Sequence, residues 1–138
     1  ERLSRKGVPL VPHIILGLHF GKMLGEWKAL EMTAKYPLKL LVLVILMPLS
    51  GTKMEKVHPP SADEIGTFFE TARKTLPNTE IMLGCARPLG GIKKEIDRLA
   101  INAGFNGIAY PAEGTVAYAK KHGLEPQIIN ACCGVNWN

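Results

Sequence analysis

Four short stretches of this chain combine glycine with side chains that can bind or react, and each stretch follows an apolar run. They cover residues 17–22, 47–52, 84–91 and 110–114. Where parallel strands alternate with helices, ligands bind at the loops that follow the carboxyl ends of the strands. These four stretches therefore form the candidate site, provided that the elements between them bring them together.

The first stretch reads GLHFGK and contains Gly17, Leu18, His19 and Gly21. Glycine lets another group approach the backbone closely, and a helix that follows offers free backbone amides to an anion. Two interpretations are open: a turn that receives a cofactor or another backbone, and an ordinary turn that ends a strand. His19 has no partner in the stretch, which favours a hydrogen-bonded loop residue over a catalyst.

Reactive or stacking side chains occupy the other three stretches. Cys85 lies two residues before Arg87, and a cysteine near a cation and a helix N-terminus can act as a thiolate ligand or nucleophile. Cysteine is equally common as a small buried residue. Tyr110 can hydrogen-bond to a ligand or stack on it. Met47 opens a long loop, and loops of this length are functional or disordered.

Cys132 and Cys133 are adjacent near the end of the chain. With Cys85 they form neither a zinc-finger spacing nor an even disulfide framework, which favours a reducing, cytoplasmic location. For the adjacent pair, two roles are open: packing in a core, or reaching a cluster held elsewhere.

Apolar runs predict the strands that position these stretches. VPHIILGL at residues 11–18 and LLVLVILM at residues 40–47 are continuous, as in strands covered on both faces. Residues 80–84 and 107–110 are shorter runs of the same kind. The segment IINACCGV, residues 128–135, is a candidate for a further short strand.

Helical periodicity predicts four helices, at residues 24–36, 62–76, 92–103 and 113–122. In the first helix, Glu26 is expected to face water. Ser61 followed by Glu64 is the pattern of a capping box, which predicts where the second helix begins. Gly104 is expected to cap the end of the third helix.

Four strand and helix units in succession indicate a parallel sheet with helical crossovers. The chain has 138 residues, and a complete β/α barrel needs roughly 200 or more. We therefore predict an α/β fold, a partial β/α (TIM-type) barrel of about four parallel strands alternating with helices, in a single domain over residues 1–138.

The charge pattern and the hydropathy of the chain argue against two partners, nucleic acid and the lipid bilayer. The 17 basic and 12 acidic residues give a formal charge of +5, but the basic residues are scattered and not interleaved with aromatic ones, which argues against nucleic acid. The longest apolar run, residues 40–49, is short of the roughly 20 residues that a bilayer requires, so we expect no membrane span.

In order and spacing, the four stretches resemble the C-terminal half of the barrel of radical S-adenosylmethionine (radical SAM) enzymes of the biotin synthase group, including archaeal relatives. The matching segments are IILGLHFGK (14–22), ILMPLSGTKM (45–54), IMLGCARPLGG (81–91) and LAINAGFNGIAYPAEG (99–114). They cover most of residues 12–124.

The resemblance implies an enzyme, a transferase, that uses S-adenosyl-L-methionine and a four-iron four-sulfur (4Fe-4S) cluster on a small-molecule substrate. By position it implies that the turn with Gly17, Leu18, His19 and Gly21 contacts the cofactor. The substrate pocket that it implies is lined by Val44, Met47, Cys85, Arg87 and Tyr110. It identifies no catalytic residue.

The sequence also departs from that family. The CxxxCxxC motif that holds the cluster is absent, so the chain alone is expected to be inactive and the cluster to be ligated outside it, by an N-terminal half-barrel or a partner subunit. Met82 and Val44 stand where biotin synthase has an arginine cluster ligand and a substrate-binding asparagine, which disfavours dethiobiotin as the substrate. Cys85 is then a candidate ligand of an auxiliary cluster in a lipoyl-synthase-like sulfur insertion.

Two alternatives stay open. One is a half-barrel that serves as a binding or scaffold subunit and is completed by a partner chain. The other is a non-radical β/α-barrel enzyme whose glycine turns bind phosphate.

Overall fold

The continuous apolar runs form the strands of one parallel sheet, as predicted. The computed structural model describes residues 3–8 and 10–134. After a short 3-10 helix at Ser4–Lys6, the elements in chain order are β1 (His13–Leu16), α1 (Glu26–Thr33), β2 (Leu40–Ile45), α2 (Ala62–Thr75), β3 (Glu80–Leu83), α3 (Gly91–Asn102), β4 (Gly107–Ile108) and α4 (Thr115–Lys121). The strand order is β1-β2-β3-β4, all parallel.

The helices pack on one face of the sheet, as in the wall of a β/α barrel. Because side chains alternate along a strand, Leu41, Leu43 and Ile45 of β2 share this face with Ile14 and Leu16 of β1. Helical residues complete the core there: Leu30, Ile65, Phe68, Phe69, Ala72, Ile96 and Ala100. The sheet is not closed, so the confirmed prediction is an α/β fold consistent with part of a barrel.

The opposite face of the sheet would point into the interior of a closed barrel. Its cluster consists of Leu40, Val42, Val44 and Met82, and the C-terminal segment lies against it through Cys133. At the β1 edge this face is more open: His13 is exposed, and Ile15 is 38% exposed.

Local signals set the helix boundaries. The capping box at Ser61 is confirmed: its hydroxyl accepts from the Glu64 backbone N–H at 3.3 Å, and the Glu64 carboxylate accepts from the Ser61 N–H at 2.9 Å. Gly104 adopts φ +77° after α3, as predicted for a glycine at a helix end.

Several of the observed elements are shorter than the sequence patterns predict. β1 stops at Leu16 because Gly17 turns the chain with φ +79°, although the apolar run continues to Leu18. The predicted strand over residues 128–135 is not found in its described part, residues 128–134, where Ile128 is 88% exposed. Residue 135 lies outside the described residues.

Candidate functional site

The four predicted stretches lie at one edge of the sheet. Because all strands are parallel, the residues after their carboxyl ends meet at the same edge, which we call the rim. Gly17 directly follows β1, while Met47, Cys85 and Tyr110 lie two residues beyond the ends of β2, β3 and β4. The rim therefore gathers most of the residues that the sequence analysis proposed for binding.

The turn after β1 is shaped by two glycines with positive φ, +79° at Gly17 and +83° at Gly21. It is closed by a hydrogen bond from the Gly21 N–H to the Gly17 carbonyl at 2.8 Å. A Cβ atom at Gly17 would collide with the ring of Pro60, and one at Gly21 would collide with the carbonyl oxygen of His58. These glycines thus leave room for the loop between β2 and α2. The sequence analysis had left open whether the turn receives a cofactor or another part of the backbone.

The buried side chain of Glu26 stabilises this turn through hydrogen bonds to its backbone. Its Oε1 accepts from the backbone N–H groups of Gly17 at 2.9 Å and Leu18 at 3.2 Å. The residue is only 5% exposed, so the expectation that Glu26 faces water was wrong. As the first residue of α1 it points back towards β1, because side chains tilt towards the N-terminus of their helix. Its Oε2 is buried without a hydrogen-bond partner.

The tip of the same turn presents apolar and aromatic surface to solvent. Leu18 is 58% exposed and His19 is exposed beside Phe20, whose ring contacts the imidazole edge-on at 5.7 Å between centroids. Phe20 has φ +50°, which a bulky residue rarely adopts. This surface can accept the flat adenine of S-adenosylmethionine by stacking, so the residues present fit that part of the cofactor.

Arg87 lies behind the rim, fully buried. Its guanidinium donates to Asp97 Oδ1 from Nε at 2.9 Å, to the Gly84 carbonyl from Nη1 at 2.7 Å and to the Tyr110 carbonyl from Nη2 at 3.0 Å. Three of its five N–H donors are therefore used by other groups of the protein. The contacts of Arg87 join the loop after β3 to the loop after β4. That Arg87 lines a substrate pocket stays a prediction.

Asp97 completes this connection from α3. Its Oδ2 accepts from the Ala112 N–H at 2.7 Å and from the Thr115 hydroxyl at 2.9 Å. Nothing in the sequence pattern singled out Asp97, since an aspartate in an amphipathic helix normally faces solvent. The network fixes Tyr110, which has φ +47° and is 78% exposed at the rim.

Val44 and Met82, the two positions that depart from biotin synthase, lie on the inner face of the sheet. Val44 is 8% exposed and Met82 is 7% exposed, in the cluster that includes Cys133. A Cβ atom at Gly84 would collide with Val44. The C-terminal segment therefore helps, through Cys133, to cover Val44, a position that was predicted to line the substrate pocket.

The three cysteines converge near the end of β3. The Sγ atoms of Cys132 and Cys133 are 4.0 Å apart, and Cys85 is close enough to Cys133 to influence the pKa of its thiol. Burial raises the pKa of Cys133. Hydrogen bonds from the Gly134 N–H and then from the Cys133 thiol lower the pKa of Cys132. The pair thus combines one exposed, more acidic thiol with one buried thiol.

Among residues 3–8 and 10–134, no three or more His, Cys, Asp and Glu side chains are grouped so as to hold a metal ion. The described residues therefore do not fit a 4Fe-4S cluster of their own. No helix in that part of the chain has the length and hydropathy to cross a bilayer.

Comparison with protein-family models finds none that matches this chain, and comparison with curated proteins finds no similar sequence.

Proposed function

We propose that this chain is the C-terminal segment of a radical SAM enzyme of the biotin synthase-like group. In this proposal it contributes part of the pocket for S-adenosylmethionine and for a small-molecule substrate, and it acts in the cytoplasm. A polypeptide segment outside this chain supplies the remaining strands and the cysteines that ligate the 4Fe-4S cluster.

One observation carries the proposal: an open, all-parallel sheet brings four motif-bearing loops to a single rim. The helices pack on one face, and the other face, on which the C-terminal segment lies, carries the apolar cluster that would point into a barrel. In β/α barrels the active site lies at the carboxyl ends of the strands. The motifs that resemble the radical enzymes occur at those ends and in the same order.

The turn after β1 supports a role in cofactor binding. Leu18 and Phe20 offer apolar surface for an adenine ring. Glu26 fixes the backbone of Gly17 and Leu18, so the turn is held in place before any ligand arrives. S-adenosylmethionine, when bound with the cluster, supplies the 5′-deoxyadenosyl radical. The residues of this chain orient the cofactor and exclude water from it.

Sulfur insertion is the reaction class that we favour for the completed enzyme. Cys85 is exposed at the rim, beside the inner face that carries Val44 and Met82. With the other ligands supplied from outside this chain, a thiol at this place can ligate an auxiliary iron–sulfur cluster, since such clusters are held by cysteine thiolates. Arg87 then acts as a positioning residue, because its hydrogen bond to the Tyr110 carbonyl fixes the neighbouring loop after β4.

The test is reconstitution of this chain together with the cysteine-bearing segment encoded with it or beside it. After loading with iron and sulfide, we expect cluster absorbance and reductant-dependent formation of 5′-deoxyadenosine. Leu18→Asp should reduce formation of that product, whereas Leu124→Asp, at a similarly exposed leucine beyond α4, should not. A loaded cluster without 5′-deoxyadenosine would refute the proposal.

The scaffold alternative is favoured by apolar side chains exposed around the rim. Five of these side chains are each more than half exposed: Leu18, Phe20, Leu49, Leu89 and Tyr110. Exposed apolar patches mark surfaces that contact other chains or ligands. If the chain is only a binding subunit, the complex should form without producing 5′-deoxyadenosine, and Leu49→Lys or Leu89→Lys should weaken it.

The phosphate alternative is favoured by the start of α3. Gly90 has φ +81°, and Cβ atoms built at Gly90 and Gly91 meet nothing within 4 Å. Loops after the last strands of β/α barrels commonly bind phosphate together with a helix N-terminus. Protection of the backbone amides at residues 90–93 by inorganic phosphate, with no response to S-adenosylmethionine, would favour this function instead.

A further inference from the structure

The adjacent cysteines of the C-terminal segment place both sulfur atoms on the same side of the chain. Cys133 is 5% exposed and anchored on the inner face of the sheet, whereas Cys132 is exposed. Their Sγ atoms are 4.0 Å apart. Because Cys133 and Gly134 lie in a turn, the two thiols face one another instead of pointing to opposite sides, as in an extended strand.

A third sulfur belongs to the same surroundings. Met82 packs in the buried cluster that contains Cys133. Its thioether lies over Gly107, where an added Cβ atom would be 2.6 Å from the Met82 sulfur. Glycine at this position of β4 thus leaves the space that the thioether occupies. Two thiols and a thioether are soft donors, the type that selects Cu(I) among biological metal ions.

The distance between the thiols suits chelation better than a disulfide. At a metal–sulfur distance of about 2.3 Å, as in zinc thiolates, two sulfurs 4.0 Å apart subtend an angle of about 120° at the ion. A disulfide would require the sulfurs to approach to about 2.05 Å, with a specific dihedral angle. The pair can therefore bridge an ion with little movement.

We propose that Cys132 and Cys133 form a binding site for a soft monovalent cation, Cu(I), with the Met82 thioether as a third donor. Zinc is disfavoured, because structural zinc sites have four ligands and, among the described residues, these two thiols are not grouped with a third His, Cys, Asp or Glu side chain that could hold a metal ion.

This site is independent of the proposed radical chemistry, since it needs neither S-adenosylmethionine nor iron. It can therefore be tested on this chain alone. An anaerobic titration with Cu(I), in competition with a chromophoric Cu(I) chelator, should show one equivalent bound per chain. Zn(II) in excess should not displace it.

The Cu(I) affinities of substituted chains should distinguish the proposed ligands from residues that only lie near them. Loss of an outer-shell partner weakens metal binding about 10- to 100-fold, so Cys132→Ser and Cys133→Ser should each cost about 100-fold or more. Met82→Leu, which keeps the buried volume, should weaken binding by a smaller factor. Cys85→Ser should leave the affinity nearly unchanged, because the Cys85 thiol is not one of the three proposed donors.

Alkylation of the unsubstituted chain gives a second readout that does not depend on how the variants fold. Cu(I) should protect Cys132, the exposed thiol of the pair, from iodoacetamide while the exposed Cys85 is still labelled, as detected by peptide mass spectrometry. Equal binding by Cys132→Ser, Cys133→Ser and the native chain would overturn the proposal. So would a Cys132–Cys133 disulfide that persists under reducing conditions, or protection of Cys85 alone.

Discussion

Arg87 Nε lies 2.9 Å from Asp97 Oδ1, and neither side chain is exposed to solvent. The remaining polar atoms of the pair also have partners, in the Gly84 and Tyr110 carbonyls, the Ala112 N–H and the Thr115 hydroxyl. A buried ion pair is tolerated only when its hydrogen bonds are satisfied in this way. The pair therefore ties the last two rim loops to α3 and α4.

Removing one member of this pair leaves the other charge buried and uncompensated. We expect Arg87→Met to lower the free energy of unfolding by about 3–5 kcal/mol, measured by chemical denaturation. The double variant Arg87→Met, Asp97→Asn should recover part of that loss, because the unpaired charge is gone. A loss below about 1 kcal/mol for Arg87→Met would show that the network is not closed as described.

Glu26 should control the local stability of the turn after β1. In Glu26→Ala, the buried N–H groups of Gly17 and Leu18 lose their acceptor, at a cost of about 1–3 kcal/mol. We expect faster hydrogen exchange at these two amides. Glu31→Ala, at an exposed position of the same helix, is the matched control and should leave both amides unchanged. Equal exchange in both variants would contradict the assigned role of Glu26.

Gly21 should be less replaceable than Gly123, although both glycines have positive φ. Alanine at Gly123 meets only the backbone strain of φ +77°, about 1–2 kcal/mol, because no atom lies within 4 Å. Alanine at Gly21 adds a collision with the His58 carbonyl to a similar strain. Thermal unfolding should therefore show a clearly larger loss for Gly21→Ala than for Gly123→Ala. Equal losses would mean that the β2–α2 loop does not pack on this turn.

The capping box predicts a dependence of stability on pH. Hydrogen bonds from the Ser61 N–H and hydroxyl lower the pKa of Glu64 below its usual value of 4.5. A carboxylate with a lowered pKa stabilises the fold above the pKa of the unfolded chain, and the contribution is lost as pH falls through the folded-state pKa. The unfolding free energy of the native chain should thus fall more steeply on acidification than that of Glu64→Gln. Parallel curves would contradict this assignment.

The elements and the order of the rim loops could be predicted from sequence because the strands are continuous apolar runs and Ser61 with Glu64 is a local signal. Long-range contacts could not be predicted in the same way. Arg87 contacts Asp97 only once α3 has packed against the sheet. The burial of these two side chains therefore cannot be predicted from the local sequence pattern. Cys132 and Cys133 reach the inner face through an irregular segment, for which periodicity carries no information.

The most direct test of a cofactor site at the rim is hydrogen exchange of the reconstituted complex with and without S-adenosylmethionine. We expect protection at residues 17–22 and at the rim loop after β2, with no change at the opposite edge of the sheet, for example at residues 36–39. Protection confined to that opposite edge, or no protection at saturating S-adenosylmethionine, would contradict the proposal that this turn contacts the cofactor.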